Sequence, residues 1–338
     1  MARNRYYNGP PSDHFDGTRF FNPGQPNVDR PLSDVLKWKL AERPARWPKS
    51  VAITPAVPAP RVDGLAITAV GHATLLIQAG GVNLLTDPVW SNRASPFAFA
   101  GPKRVTAPGI AFDALPPIDA VLLSHNHYDH LDMATLRRLH ARDRPVMAMP
   151  LGNDAIVRKG VPDATLIAGD WGDRIALPGG AATTLVPANH WSARGARDRR
   201  MALWAGHWIA TPAGSVYFAG DSGWCDGGIF RAIAATHGAP DVALLPIGAY
   251  APRWFMAPQH ADPEEAVAMF EALGAGHALG IHWGTFQLTD EPREEPVERL
   301  RAAVAARGLA PERFIAATPG ETYSFSPQPR ETSATIGR

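Results

Sequence analysis

The alternation of apolar and polar positions divides the chain into a leading region with few regular runs and a long region built on strands. Residues 65–70, 74–78 and 82–86 are short apolar runs separated by glycine-containing turns, the pattern of a meander. A further apolar strand at 120–123 runs into Ser124, and 133–140 then reads as a helix. Strands are predicted at 145–149, 165–167, 183–186, 204–210, 215–219, 242–246 and 278–281, with helices at 153–159, 229–236, 263–273 and 296–307. The turn at 211–214 makes a hairpin of the two strands that flank it. Strands lead and helices interleave later, which predicts a sheet sandwich covered by helices. Residues 88–117 form a long connection carrying Phe97, Phe99 and Phe112, and a loop of that length in a compact enzyme is often functional.

Ahead of the strands, residues 1–31 are polar and rich in Gly, Pro and Asn, yet include Tyr6, Tyr7, Phe15, Phe20 and Phe21. So many aromatics predict an irregular arm packed on the body. Leu32, Val35, Leu36 and Leu40 then recur at helical spacing beside Lys37, Lys39, Arg43 and Arg46. This is either a surface helix packed by its apolar face or an interfacial helix on an anionic membrane. The expected division is an N-terminal arm and helix over 1–64, a body over 65–327 and a polar tail over 328–338.

Composition narrows the function. Hydrophobic residues make up 45% of 338, enough for a substantial core. With 33 basic and 32 acidic side chains the net charge is +1, so no global field attracts nucleic acid. Cys225 is the single cysteine, which excludes an intramolecular disulfide and a cysteine-rich zinc site. No run approaches the ~20 apolar residues of a spanning helix, and the N-terminus lacks a signal-peptide core. A cytoplasmic protein is expected, with peripheral membrane contact through the basic helix as the variant on that theme. Oligomeric state is left open.

The chemistry concentrates in Ser124-His125-Asn126-His127-Tyr128-Asp129-His130, three imidazoles and a carboxylate directly after a buried strand. His125 and His127, two apart, project from one side of an extended segment, and Asp129 and His130 follow at the turn. One loop thus presents two pairs of ligands, and imidazole with carboxylate suits Zn, Mn, Fe or Ni. Three later strands each deliver one more such residue at their ends: His190, Asp221 and His282.

With that site the chain resembles the metallo-β-lactamase fold superfamily and, within it, bacterial relatives of the N-acyl-phosphatidylethanolamine-hydrolysing phospholipase D family. The resemblance is carried by Phe20-Phe-Asn-Pro23, Gly71-His-Ala-Thr74, Thr86-Asp-Pro-Val-Trp90, Pro187-Ala-Asn-His-Trp191, Ile247-Gly-Ala-Tyr-Ala-Pro-Arg-Trp-Phe-Met256 and Ile281-His-Trp-Gly-Thr-Phe286, besides the histidine motif. It implies an α/β fold, a four-layer αββα sandwich with two divalent ions, zinc foremost and Mn or Fe as alternatives, at one edge. It assigns His125, His127 and His190 to one ion, Asp129, His130 and His282 to the other, and Asp221 to both.

The implied reaction is hydrolysis of N-acyl-phosphatidylethanolamine or a related phosphodiester by a metal-bridging hydroxide. Asp221 would position both ions, Asp129 would orient the nucleophile, and His260 would contact the phosphate or donate a proton. His72 is expected in a supporting or structural role, and Asp87 as an anchor for a ligating histidine. Ala251 departs from the glutamate of the animal enzymes, which bears on the polarity of the substrate cavity. A lactonase of phosphorylated sugar acids, a nuclease on the same site, and a non-catalytic metal-binding or lipid-sensing module are the alternatives.

Overall fold

The computed structural model describes residues 3–25, 28–41 and 43–326, and the tail expected at 328–338 lies outside the described residues. The strands form two sheets. One comprises β1 (Leu65–Gly71), β2 (Thr74–Ala79), β3 (Val82–Thr86), β4 (Ala120–Leu122), β5 (Val146–Pro150), β6 (Leu166–Gly169) and the late strand β14 (Thr322–Phe325), in the order β14-β1-β2-β3-β4-β5-β6. The other comprises β7 (Arg174–Ala176), β8 (Ala182–Val186), β9 (Gly206–Thr211), β10 (Gly214–Phe218), β11 (Val242–Pro246), β12 (His277–Ile281) and β13 (Phe314–Ala316), in the order β13-β12-β11-β10-β9-β8-β7. β1, β2 and β3 form the expected antiparallel meander, and β9 and β10 the expected hairpin.

Both faces of each sheet are covered, which is why the central strands are continuous apolar runs. Between the sheets, Leu75, Ile77, Leu84 and Leu122 meet Leu185, Ile209, Val216, Phe218 and Leu244. On the outer face of the first sheet, Leu76, Leu85 and Met147 pack against Leu136 and Leu139 of α2 (Met133–Asp143) and Val157 of α3 (Asn153–Gly160). On the outer face of the second, Tyr217 and Leu245 pack against α4 (Gly228–His237), α6 (Pro263–Leu273) and α7 (Glu295–Ala306) through Phe230, Val267, Phe270 and Leu300. The layers therefore run α, β, β, α. Each buried leucine or phenylalanine contributes about 1.5–3 kcal/mol relative to exposure, so the inter-sheet layer and the two outer layers together hold the sandwich.

The arm lies on this body. Phe15 and Phe20 are buried with Leu203 and Trp204, as the aromatic content predicts. α1 (Leu32–Ala41) is present, but its packing differs from the surface-helix expectation. Trp38 is its buried residue, set against Phe255 and Met256 of α5 (Arg253–Met256) with Val35 alongside. Leu32, Leu36 and Leu40 instead face outward, 81%, 60% and 85% exposed. Among the described residues no helix is long and apolar enough to cross a membrane.

Candidate metal centre

The ligand-type side chains lie where strands run out at one edge of the sandwich. β3 and β4 are parallel, with Thr86 opposite Leu122, so Asp87 and the 124–130 loop emerge together. β10, β11 and β12 are also parallel, and Asp221 and His282 follow the ends of the outer two. β8 has the same direction through two antiparallel steps and leads to His190. Gly220 is required for this convergence. Its φ is +59°, and a Cβ there would lie 2.6 Å from the Ser124 Cβ, so a side chain would push Asp221 off the histidine loop.

The predicted residues assemble as two groups around one carboxylate. His125 Nε2 and His190 Nε2 lie 2.8 and 3.2 Å from His127 Nδ1. In the second group His130 Nε2 and His282 Nε2 are 3.2 Å apart, and lie 3.4 and 3.3 Å from Asp129 Oδ2. Asp221 Oδ2 stands 3.1 and 3.2 Å from His130 and His282, and 3.9 and 3.7 Å from His125 and His190.

These spacings fit a metal better than a hydrogen-bond network. His125 Nδ1–H donates to Ser124 Oγ and His190 Nδ1–H to the Gln259 carbonyl, so three converging nitrogens share at most one proton. The edge of a tetrahedral zinc site with bonds of about 2.0–2.1 Å is roughly 3.3 Å. Asp221 Oδ1 and His127 Nε2 are buried and have no partner among the described residues.

A buried carboxylate fixes the imidazoles from behind. Asp87 Oδ2 accepts from His130 Nδ1 at 2.7 Å and from Ser124 Oγ at 2.5 Å, and Oδ1 accepts from the Ser124 amide at 2.7 Å. Asp87 thus holds His130 directly and His125 through the hydroxyl. His72 Nε2 lies 2.9 Å from Asp129 Oδ2, behind the carboxylate, in the kind of supporting position expected of it. Burial, helped by His282, pushes its pKa down to about 3, so the neutral ring donates Nε2–H to the carboxylate.

The electrostatics divide the histidines. Burial, reinforced by neighbouring imidazoles, holds His125 well below its ordinary value. For His130 and His282 burial acts in the same direction, but Asp221 and Asp129 outweigh it, raising His130 well above its ordinary value and His282 to about 9. Asp221 and Asp129 are correspondingly held well below the usual carboxylate range against their own burial, chiefly by His130, with His282 also lowering both.

His260 stands at the rim, its Nδ1 4.0 Å from Asp221 Oδ2 and its ring 5.0 Å from that of His190. It makes no hydrogen bond to the cluster. Burial lowers its pKa to about 4, so it is neutral at pH 7. Its backbone is fixed by Arg253, which donates to the His260 carbonyl at 2.8 Å and to Glu265 at 2.6 Å, while the Asp262–Glu265 capping box starts α6.

His140, His207, His237 and His277 are outside the cluster, and His207 is a core residue bonded to Thr183 and the Leu123 carbonyl. Sequence reasoning missed Arg194. It donates to the carbonyls of Asn126 and Leu131 at 3.2 and 2.6 Å and lies 3.8 Å over the Tyr128 ring, bracing the histidine loop. Its partners are backbone carbonyls, which leave no mark in a sequence. A cavity of about 930 Å³ lined by Leu300 and Val304 of α7 holds none of the clustered imidazoles.

Comparison with known proteins agrees with the geometry. A beta-lactamase superfamily domain matches residues 82–283. The chain belongs to the metallo-β-lactamase superfamily. As a superfamily member it is a metal-dependent hydrolase, and its His/Asp cluster is able to bind metal. N-acyl-phosphatidylethanolamine-hydrolyzing phospholipase D 1 of Caenorhabditis elegans is 37% identical over 276 residues, 78% of this chain and 77% of that protein. An uncharacterized protein of Mycobacterium tuberculosis is 39% identical over 306 residues, 86% of this chain and 77% of that one. The superfamily fold recurs in the isothiocyanate hydrolase from Delia radicum gut bacteria, with a TM-score of 0.60 at 22% identity over 77% of this chain and 99% of that one.

Proposed function

We propose that the protein is a dinuclear phosphodiesterase of phospholipase D type, acting on N-acyl-phosphatidylethanolamine or a closely related phosphodiester lipid. The observation that carries this reading is the division of the cluster into His125/His127/His190 and Asp129/His130/His282 with Asp221 reaching both. Two divalent ions, zinc foremost, would supply Lewis acidity, activating water near neutral pH and offsetting charge on the phosphoryl oxygens. The chain's own residues orient and exclude. Asp221 spans the two groups, and His72 fixes the Asp129 carboxylate. His260 offers a neutral imidazole to the phosphate or to the departing ethanolamine oxygen.

A lipid substrate is supported by surface chemistry around the rim. A cavity of about 390 Å³ beside Tyr128 is lined by Phe97, Leu131, Met133 and Arg194, and the Phe97 and Phe99 rings are exposed and 5.5 Å apart. The outward leucines of α1 form a second apolar strip, with Lys37 set over the exposed Trp254. α1 rests on α5, which directly precedes the Gln259–His260 turn, so a bilayer engaged by α1 would face the site's rim. The C. elegans relative is named for hydrolysing this same lipid.

The test is turnover of N-acyl-phosphatidylethanolamine in detergent micelles beside bis(p-nitrophenyl) phosphate, for wild type and His125→Ala, with metal content measured on the same samples. Phosphatidic acid release that the substitution abolishes is the expected result. Cleavage of the small diester alone would discard the lipid assignment and move the search to soluble phosphodiesters and lactones.

A further inference from the structure

A ligating imidazole is held in place by what its other ring nitrogen does. His125, His130 and His190 each use Nδ1 for this purpose, on Ser124, Asp87 and the Gln259 carbonyl. His282 has no such bond, but it is fully buried between His72 and His130, with ring centroids 3.9 and 5.2 Å away, and its amide donates to the His72 carbonyl. His127 has neither device. Its Nδ1 faces the other nitrogens, its Nε2 has no partner among the described residues, and it sits half-buried at the mouth of the site.

What confines His127 is an aromatic ring. Trp191 packs against it edge-on, with centroids 4.4 Å apart and planes at 74°. Trp191 in turn carries the guanidinium of Arg199, 3.5 Å from its ring centroid. That guanidinium is gripped by the N-terminal arm, pairing with Asp29 and donating to the Val28 carbonyl at 2.7 Å. Arg200 takes the other Asp29 oxygen at 2.7 Å and the Phe20 carbonyl at 2.9 Å. The arm therefore reaches the cluster through a continuous stack from Asp29 to Arg199, Trp191 and His127.

We propose that Trp191, Arg199 and Asp29 are positioning residues for His127, doing for this side chain what Asp87, Ser124 and the Gln259 carbonyl do for its neighbours. The proposal rests on the metal-site reading above. Its consequence is asymmetric. Loss of the stack loosens the group formed by His125, His127 and His190 and leaves the Asp129/His130/His282 group intact. Loss of an orienting partner typically lowers metal affinity about 10–100-fold.

The test is competitive titration of the metal-free, full-length protein with zinc against a chromophoric chelator. Wild type is compared with His127→Ala, Trp191→Ala, Trp191→Phe, Arg199→Met and Asp29→Asn. Wild type should bind two equivalents. Trp191→Ala should weaken one of them about 10-fold or more, the one that His127→Ala weakens, with the second unchanged. Trp191→Phe should restore most of the loss, and Arg199→Met and Asp29→Asn should reproduce a smaller part of it. A wild type that takes up no zinc, or a His127→Ala that binds as wild type does, overturns both readings. A two-equivalent wild type whose affinities are unmoved by Trp191→Ala and Arg199→Met, or lowered equally at both sites, overturns this one alone.

Discussion

At the scale of single residues, the side chains that hold the imidazoles matter as much as the imidazoles. Asp87 accepts three hydrogen bonds, from the Ser124 amide, the Ser124 hydroxyl and His130. In Asp87→Asn one acceptor oxygen becomes an NH2 group, so a donor faces a donor whichever way the amide turns. Metal affinity should fall about 10–100-fold with the fold retained, which chelator competition and far-UV circular dichroism would show together. Wild-type affinity in the variant would refute the anchoring role. Asp29 yields a pH prediction. Burial pushes its carboxyl up, but Arg200 and Arg199 outweigh burial and hold it below the ordinary value. A carboxylate depressed on folding stabilises fully above its unfolded pKa of about 3.9 and loses that contribution as pH falls through the folded value. In metal-free protein, the difference in melting temperature between wild type and Asp29→Asn should be constant down to about pH 5 and shrink below pH 4. A difference that grows on acidification would contradict it. The clustered residues were legible because each ends an apolar run: His125, His190, Asp221 and His282 all follow buried strands. Arg194 was not, because its bonds go to main-chain carbonyls.

At the scale of elements, strands with two covered faces were readable, and of the four edge strands β6 was readable while β7, β13 and β14 were not. β2, β8 and β11 are buried along their whole length, whereas β7, with Ile175 buried between exposed Arg174 and Ala176, has only three residues to show its alternation. β13 and β14 are similarly short and partly solvated, so their periods never rise above the surrounding loop. α1 shows the reverse failure. Its leucine period is real, yet the packing is carried by Trp38, which bonds Asp290 through Nε1 and meets Phe255 at 5.0 Å. A stripe at that spacing reports a common face, not which surface the face meets. The exposed stripe with its lysines predicts that replacing Leu32, Leu36 and Leu40 together by serine will weaken binding to phosphatidylglycerol-containing vesicles about 10-fold or more. Turnover of bis(p-nitrophenyl) phosphate and thermal stability should be unchanged, because the replaced side chains touch little of the protein. Co-sedimentation of the triple variant at the wild-type level would remove α1 from the lipid reading.

At the scale of the whole molecule, the cluster joins the two sheets across one edge of the sandwich. Asp129, His125, His127 and His130 come from the loop after β4 in the first sheet, and His190, Asp221 and His282 follow strands of the second. Without metal, the raised pKa values of His130 and His282 set protonated imidazoles beside Asp129 and Asp221, with Asp87 behind His130, so the carboxylates at this edge already have partners. The inter-sheet layer of leucines and phenylalanines does not depend on that edge. The metal-free protein should therefore stay folded and unfold cooperatively. Metal that binds only the folded chain adds stability by mass action, about 4 kcal/mol when its free concentration is 1,000 times the dissociation constant. Treatment with a chelator should thus lower the urea midpoint and melting temperature, and added zinc should restore both in a concentration-dependent way. Midpoints that stay fixed while elemental analysis confirms loss of metal would mean that the converging side chains do not tie the sheets together through an ion. A chelated protein that lost its cooperative transition altogether would mean that the apolar layer cannot hold the sandwich without that tie.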